Sequence, residues 1–547
     1  MVGSRPPLSH ASSAHSIAAR VILGTAAVLF VALSHYSRTQ IGDDSFIFFR
    51  YVDNLLAGHG PVWNVGERVE GFSSPLWLLI LSLGRSLGAD YFVFSRWAGW
   101  AAAAAGIYAV WLLARRLAAT QVTSAVACLL ATLVGTLHYW SPTGLETSLY
   151  VAVFGLTCAA IVRGRLVEWA VWTALLGLVR PEGLVMAPWS VICFALVHGR
   201  RVVDARALAI ALTPVVAYVA FRLAYYGTLL PNTYYAKATG ALGERLGQGL
   251  EYGFWIGLLL LGAGAGAIAL WLRARRATRE RALLGALAFT SALFGIAVMG
   301  GGDWMWGHRL TLPMILPLFA IAAALASRVA RFSEAARATL LGFVLFMSIN
   351  DDLPFADRLD YEDLFGFGAV GHALKSPARF LEWRFVRPLA LVGRALAWQT
   401  MSPVHRMEGT MTDASADVAS YVVSAYPKDT LVAVNHAGAV PYYTGMPAVD
   451  MTGLADAHIA REVKGGLHQK FDPAYVVARR PGVVVLNARV EPGKDGVWYH
   501  EGYWDGETAL VRYPPFLEHY RPVPRYWKWS YRDQRDSYIL LYERITP

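Results

Sequence analysis

The sequence predicts a polytopic α-helical membrane protein with a C-terminal α/β domain. Three observations carry that expectation. Of 547 residues, 55% are hydrophobic and only 16% charged, which is too apolar for a soluble globular chain. The apolar residues gather in blocks near the length that crosses a bilayer. From about residue 410 the pattern changes to short strand and helix signals of soluble character.

Apolar segments run at roughly 18–36, 91–114, 121–138, 145–162, 166–179, 184–197, 207–226, 251–272, 282–299, 310–326 and 338–349. More spans follow the first, so it reads as a retained helix and not as a removed leader. Alternate connections hold the arginines: Arg115–Arg116, Arg163 and Arg165, Arg200–Arg201, the run 273–281, and Arg328, Arg331 and Arg337. Basic loops face the cytoplasm. Eleven crossings then leave the N-terminus inside and everything after residue 350 outside, as in a multi-pass membrane protein. The short segments 166–179 and 184–197 fit the charges as two spans or as a re-entrant pair. Residues 75–88 cannot be a full span without moving Arg115 and Arg116 outside, so they read as a helix on the outer face. The divisions expected are a membrane unit 1–350 with an external acidic loop 37–90, a juxtamembrane connector 351–410 with amphipathic pieces, and an external domain 411–547. In that domain "DTLVAVNHAGAVPYYTGMPAVD" reads strand, helix, strand, and "PAYVVARRPGVVVLNA" repeats helix and strand.

The net charge of +10 sits in arginine-rich loops, a pattern suited to an anionic lipid surface and not to nucleic acid. Cys128, Cys158 and Cys193 all lie in apolar segments; they read as buried small hydrophobes with no disulfide framework or metal-ligand spacing.

Polar residues are concentrated in the segments assigned to the outside: 138–146, 180–183, 225–240 and 299–309. Such residues are costly at membrane depth, so their gathering on one side predicts a shared cavity there. The loop 37–90 opens with Asp43–Asp44 at an expected helix start, and Gly58 marks its stop. On that helix Asp43, Ile47, Arg50 and Asn54 share one stripe, expected to face the cavity; Phe48, Phe49, Val52 and Leu56 form an apolar stripe. Successive carboxylates point in different directions. One can cap the helix or hold a cation while the other faces a reactant; the plainer alternative is an N-cap followed by a solvated first-turn acid. Asn64, Glu67 and Glu70 add polar groups to the same loop.

The succession "DDSFIFFRYVDNLLAGHGPVWNVGERVEGFSSPLW", "YYGTLLPNTYYAK", "GGDWMWGHRLTLP" and "GAVPYYTGMPAVDMTGLAD" resembles the terminal arabinofuranosyltransferases of actinobacterial cell-wall assembly. These belong to the GT-C superfamily of polyprenyl-phosphate-sugar glycosyltransferases. The likeness runs in order through nearly the whole chain. It departs at Phe72–Ser73–Ser74, where the family commonly has a Tyr-Thr-Asn-like triplet. The resemblance implies transfer of a sugar, D-arabinofuranose first and another such as mannose second, from a polyprenyl-phosphate donor. The acceptor would be an extracytoplasmic glycan, glycolipid or protein, in an enzyme held among membrane lipids. It implies an acid of the first external loop as general base, matched by Asp43 first and Asp44 second. A departing phosphate needs cations, for which Arg50, Arg180, Lys237, His308 and Arg309 are candidates. Asn54, Asn64, Glu67, Glu70, Tyr234, Asp303 and Trp304 are candidates for sugar or acceptor contact. For Arg180 and Arg309 the alternative is an interfacial anchor, for Asp303 a turn, for Glu146 and Glu182 a helix cap, and for His436 a satisfied loop histidine. No cofactor is committed to; the resemblance brings in a divalent cation, Mg or Mn, near the acidic loop, without a ligand spacing to fix it. A lipid-linked-sugar flippase is the rival class, and it would predict inverted repeats, of which the sequence has none.

Overall fold

In a computed structural model, residues 8–328 and 402–545 are described apart from 39–40, 238–241, 275–277, 304, 306–308, 466–468, 489–503 and 531–535, and with them Ser333 and Arg337. The expected span 338–349, residues 351–401 of the expected connector 351–410, Arg331, Trp304 and His308 lie outside the described residues.

The membrane unit is a helical bundle: α1 Leu8–Tyr36, α2 Asp43–Leu56, α3 Pro75–Ser86, α4 Tyr91–Arg116, α5 Gln121–Thr132, α6 Gly135–Trp140, α7 Thr147–Arg163, α8 Leu166–Val179, α9 Gly183–His198, α10 Ala205–Tyr226, α11 Asn232–Lys237, α12 Leu242–Ala274, α13 Thr278–Met299 and α14 Leu312–Ser327. Among the described residues four stretches are long and apolar enough to cross a membrane, Ala14–His35, Tyr91–Arg116, Ala205–Tyr226 and Glu280–Met299. The pair Leu242–Phe254 and Ile256–Leu272, bent by 71°, makes a fifth if counted as one span. The protein is therefore a multi-pass membrane protein. Other expected spans appear as apolar helices of at most 17 residues, about 25 Å long at 1.5 Å per residue. They pack on the longer helices, most closely α7 on α4.

One expected span, 121–138, is two helices. Val134 is extended between α5 and α6, and the buried His138 turns back to Thr132 O (2.7 Å). Helix starts follow local chemistry. The Asp90 carboxylate caps α4 through Phe92 N and Val93 N, and Ser74 caps α3 with Pro75 in its first turn. All three cysteines are buried thiols.

The C-terminal region forms a five-stranded sheet of β1 Val432–Val434, β2 Ala448–Asp450, β3 Val483–Ala488, β4 Tyr520–Ser530 and β5 Asp536–Arg544, in order β2-β1-β3-β5-β4. The first three strands are parallel, with Ala433 facing Val449 and Val484. β5 runs antiparallel to β3 and β4. All residues of β1, β2 and β3 are buried, as expected for a covered parallel sheet. Helix α15, Ser402–Ala425, packs on β4 and crosses the expected boundary at 410. A short helix α16, Ala439–Thr444, joins β1 to β2.

Helix α2 lies between the two units. Phe46, Phe49, Tyr51 and Val52 are fully buried. Phe49 stacks on Tyr91 of α4 at 4.5 Å, and Phe46 meets Tyr442 of α16 at 5.4 Å.

Candidate functional site

A cavity of about 1900 Å³ opens beside α2. Its wall draws on every segment assigned to the outside from loop charge: Asp44, Ile47 and Phe48 of α2, Phe72 and Ser73, Glu146, Arg180 and Glu182, Tyr234 and Lys237, and Asp303 and Arg309. The C-terminal region contributes Leu454, Arg461, Lys464 and Lys470.

Two arginines of the wall, Arg180 and Arg309, are paired with acids. Arg180 Nη1 meets Glu146 Oε1 at 2.6 Å and its Nε meets Glu182 Oε2 at 3.1 Å. Arg309 Nε meets Asp303 Oδ2 at 2.8 Å. Burial alone would raise the Asp303 carboxyl, but Arg309 and Lys237 hold it below the usual range. The opposite balance raises Arg309: burial alone would lower it, and Asp303 outweighs that effect. Lys237 differs. Among the described residues its ammonium has no hydrogen bond or ion pair, and burial, helped by Arg309, lowers its pKa against the pull of Asp303 and Asp44. Asp44 likewise has no side-chain partner among the described residues, although it lines the cavity. Thus Asp44 and Lys237 face the cavity beside pairs that are already neutralised; Glu244, Glu251, Arg245 and Lys464 also line it without an ion pair among the described residues.

Asp43, the first choice for the base, does not line the cavity. Its carboxylate points into the C-terminal region, where Oδ1 accepts from Ala439 N (2.8 Å) and Oδ2 from Gly438 N (3.1 Å). Burial raises its pKa, while His436 and these two bonds act to lower it. Of the expected stripe Asp43, Ile47, Arg50 and Asn54, Ile47 alone lines the cavity, together with Asp44 and Phe48 beside it. Arg50 is corrected as a phosphate ligand for a physical reason, since its donors are occupied. Nε reaches Trp63 O (2.6 Å), Nη2 reaches Met446 O (2.7 Å) and Asn64 Oδ1 (3.1 Å), and Nη1 reaches Pro441 O. With no carboxylate partner, burial lowers its pKa to about 10.

Asn54, Asn64, Glu67 and Glu70 are corrected on the same ground, because none lines the cavity. Asn54 donates to Val62 O and Trp63 O, and Asn64 exchanges bonds with Ala448 N and O. Glu67 pairs with Arg479 at 2.9 Å. Glu70, fully buried, pairs with Arg222 of α10 at 2.6 Å and accepts from Tyr218. His436 is bonded to Asn487 at 3.0 Å.

Two structurally decisive residues escaped the sequence reading. Arg222 carried a usable signal, a lone charge inside an apolar span. Asn232 carried none. Its Nδ2 donates to Gly453 O, Leu454 O and Asp456 O.

Among the described residues no group of three or more His, Cys, Asp or Glu is close enough to hold a metal ion, and three cavity acids are already matched by arginines.

Together the helices and the cavity define a multi-pass membrane protein with a fold shared by a solved membrane protein. The structure superimposes on ArnT from Cupriavidus metallidurans bound to undecaprenyl phosphate with a TM-score of 0.55 at 16% identity, over 95% of this chain and 97% of that one. In sequence the chain is similar to the terminal β-(1→2)-arabinofuranosyltransferase of Corynebacterium glutamicum, 31% identical over 341 residues, which is 54% of this chain and 48% of that protein. The enzyme of the same name from Mycobacterium tuberculosis is 31% identical over 271 residues, 43% of this chain and 42% of that protein. The chain matches about half the length of these curated relatives. Residues 404–542 match a family described as a domain of unknown function (DUF8728).

Proposed function

We propose that this chain is a glycosyltransferase that moves a sugar, D-arabinofuranose by preference, from a polyprenyl-phosphate donor to an extracytoplasmic glycan, glycolipid or protein. The observation that carries the reading is the uncompensated pair Asp44 and Lys237 in one cavity. The similarity to arabinofuranosyltransferases supports the sugar class, and the likeness to a fold that holds undecaprenyl phosphate supports a lipid-borne donor.

The chemistry follows from the two charges. The Asp44 carboxylate takes the proton of an acceptor hydroxyl, whose oxygen attacks the anomeric carbon from the face opposite the lipid. The carbon–oxygen bond to the phosphate breaks, and the phosphate departs with the electron pair, inverting the anomeric centre. The leaving group is already anionic, so a cation serves it better than a proton donor; Lys237 is that cation. Arg180 and Arg309, committed to acids, tune the field and orient the wall. Loop charge supports an N-terminus in the cytoplasm and a cavity open to the outside of a bacterial inner membrane.

A second reading has its own observation. Phe72 and Ser73, where the chain departs from the family's usual residues, line the cavity, which favours a donor carrying another sugar such as mannose. Purified protein incubated with a panel of polyprenyl-phosphate sugars separates the readings. Release of lipid phosphate from the D-arabinofuranose donor is expected; release from the mannose donor alone supports the second reading; no release from any donor overturns both.

A further inference from the structure

The C-terminal domain holds neither of the charges given a chemical role above, yet it grips the chain immediately beside both of them. Asp43 precedes Asp44, and its two oxygens are held by Gly438 N and Ala439 N. There is no slack in this grip: a Cβ on Gly438 would run into the Asp43 carboxylate and backbone carbonyl. Asn232 begins the short helix that Lys237 ends. Its carboxamide donates to three carbonyls of the domain at 2.9 to 3.2 Å, and its oxygen accepts from Arg461 Nε at 3.1 Å. Asp43 and Asn232 are both buried.

We infer that the C-terminal domain is a clamp that sets the reacting charges, with Asp43 the positioning residue for Asp44 and Asn232 the positioning residue for Lys237. This rests on the function proposed above. Successive helical residues point about 100° apart, so the rotation of α2 decides which aspartate enters the cavity. Asp43 locks that rotation from the far side. Arg50 on Pro441 and Met446, and Asn64 on Ala448, hold the same seam along its length. A carboxylate displaced by about 1 Å loses on the order of a hundredfold in rate, so a clamp outside the cavity still acts on the chemistry.

The two arms carry different kinetic signatures. In purified full-length protein, Asp43→Asn replaces one acceptor oxygen by a donor that opposes a backbone N–H. It lowers kcat by about tenfold to a hundredfold and leaves the donor KM within about twofold. Asn232→Ala releases the Lys237 segment and raises the donor KM by about tenfold, with the smaller effect on kcat. A purely structural seam would change only the folded fraction; variants with wild-type kcat and KM per folded molecule, or with identical losses in both constants, overturn the clamp. Hydrogen exchange on the unmodified protein needs no variant to fold. Decaprenyl phosphate should slow exchange in 438–456 together with 232–237, and protection of 232–237 alone overturns the inference. Absence of turnover by the wild type with every donor counts instead against the proposed function, and the exchange result with decaprenyl phosphate still decides the clamp.

Discussion

The two faces of helix α2 divide the molecule into a seam and a reaction wall. On the seam every buried charge has a partner: Asp43 two backbone amides, Arg50 three carbonyls and a carboxamide oxygen, Glu70 an arginine and a tyrosine. On the wall, one residue further round the helix, Asp44 and the facing Lys237 have none among the described residues. A buried polar group left without a partner costs stability, and a chain keeps that cost where chemistry uses it. Proximity in sequence therefore says little about surroundings; Asp43 and Asp44 are neighbours, one held by backbone amides and the other facing the cavity.

The largest break in this contrast comes from the seam. Glu70→Gln leaves the Arg222 guanidinium buried without its counter-charge, and should destabilise the protein by about 3–5 kcal/mol, read as a fall in the thermal melting point in detergent. Next is a pH effect from Asp450. It accepts from Thr452 N, Thr452 Oγ1 and Ala455 N, yet burial pushes its carboxyl up to about 6. The folded state keeps this proton between about pH 4 and pH 6 while the unfolded chain has lost it. The contribution is thus fully present below about pH 4 and is lost as pH rises through 6. Across that window the stability of the wild type relative to Asp450→Asn should fall by about 3 kcal/mol, measured by denaturation at several pH values; a constant difference contradicts the assignment.

On the wall, Lys237→Met removes an unpaired cation without loss of bulk. It should raise the donor KM by about tenfold to a hundredfold, an interaction of about 1.4–2.7 kcal/mol, with no fall in the melting point. The smallest effect belongs to the half-exposed rim of the seam, where Glu67 and Arg479 pair in contact with solvent. Glu67→Gln should cost at most about 0.5 kcal/mol and leave transfer intact.

Much of the architecture was legible in the residues. Bilayer-length apolar blocks placed α1, α4, α10 and α13, and strand-helix alternation placed β1, α16, β2 and β3. Arginine counting gathered Glu146, Arg180, Lys237, Asp303 and Arg309 into one set of loops, and those side chains do line one cavity. What could not be read was the seam. Asp43 meets amides 395 residues away, and Asn64 meets Ala448 across 384; no local period encodes such pairs. Without the position of the C-terminal domain, the polar stripe of α2 was assigned to the cavity because Arg50 and Asn54 look like ligand residues. The domain supplies a second polar face for them, and this rotates the choice from Asp43 to Asp44.

The central claim is that Asp44 performs proton transfer while Asp43 only holds it in place. The most direct measurement is a side-by-side comparison of Asp43→Asn and Asp44→Asn, recording transfer from the polyprenyl-phosphate donor and thermal melting for each. Asp44→Asn should lose about a thousandfold or more in kcat while melting no lower than the wild type. Asp43→Asn should retain measurable transfer and melt at a lower temperature. An inert, fully stable Asp43→Asn beside an active Asp44→Asn would contradict the account.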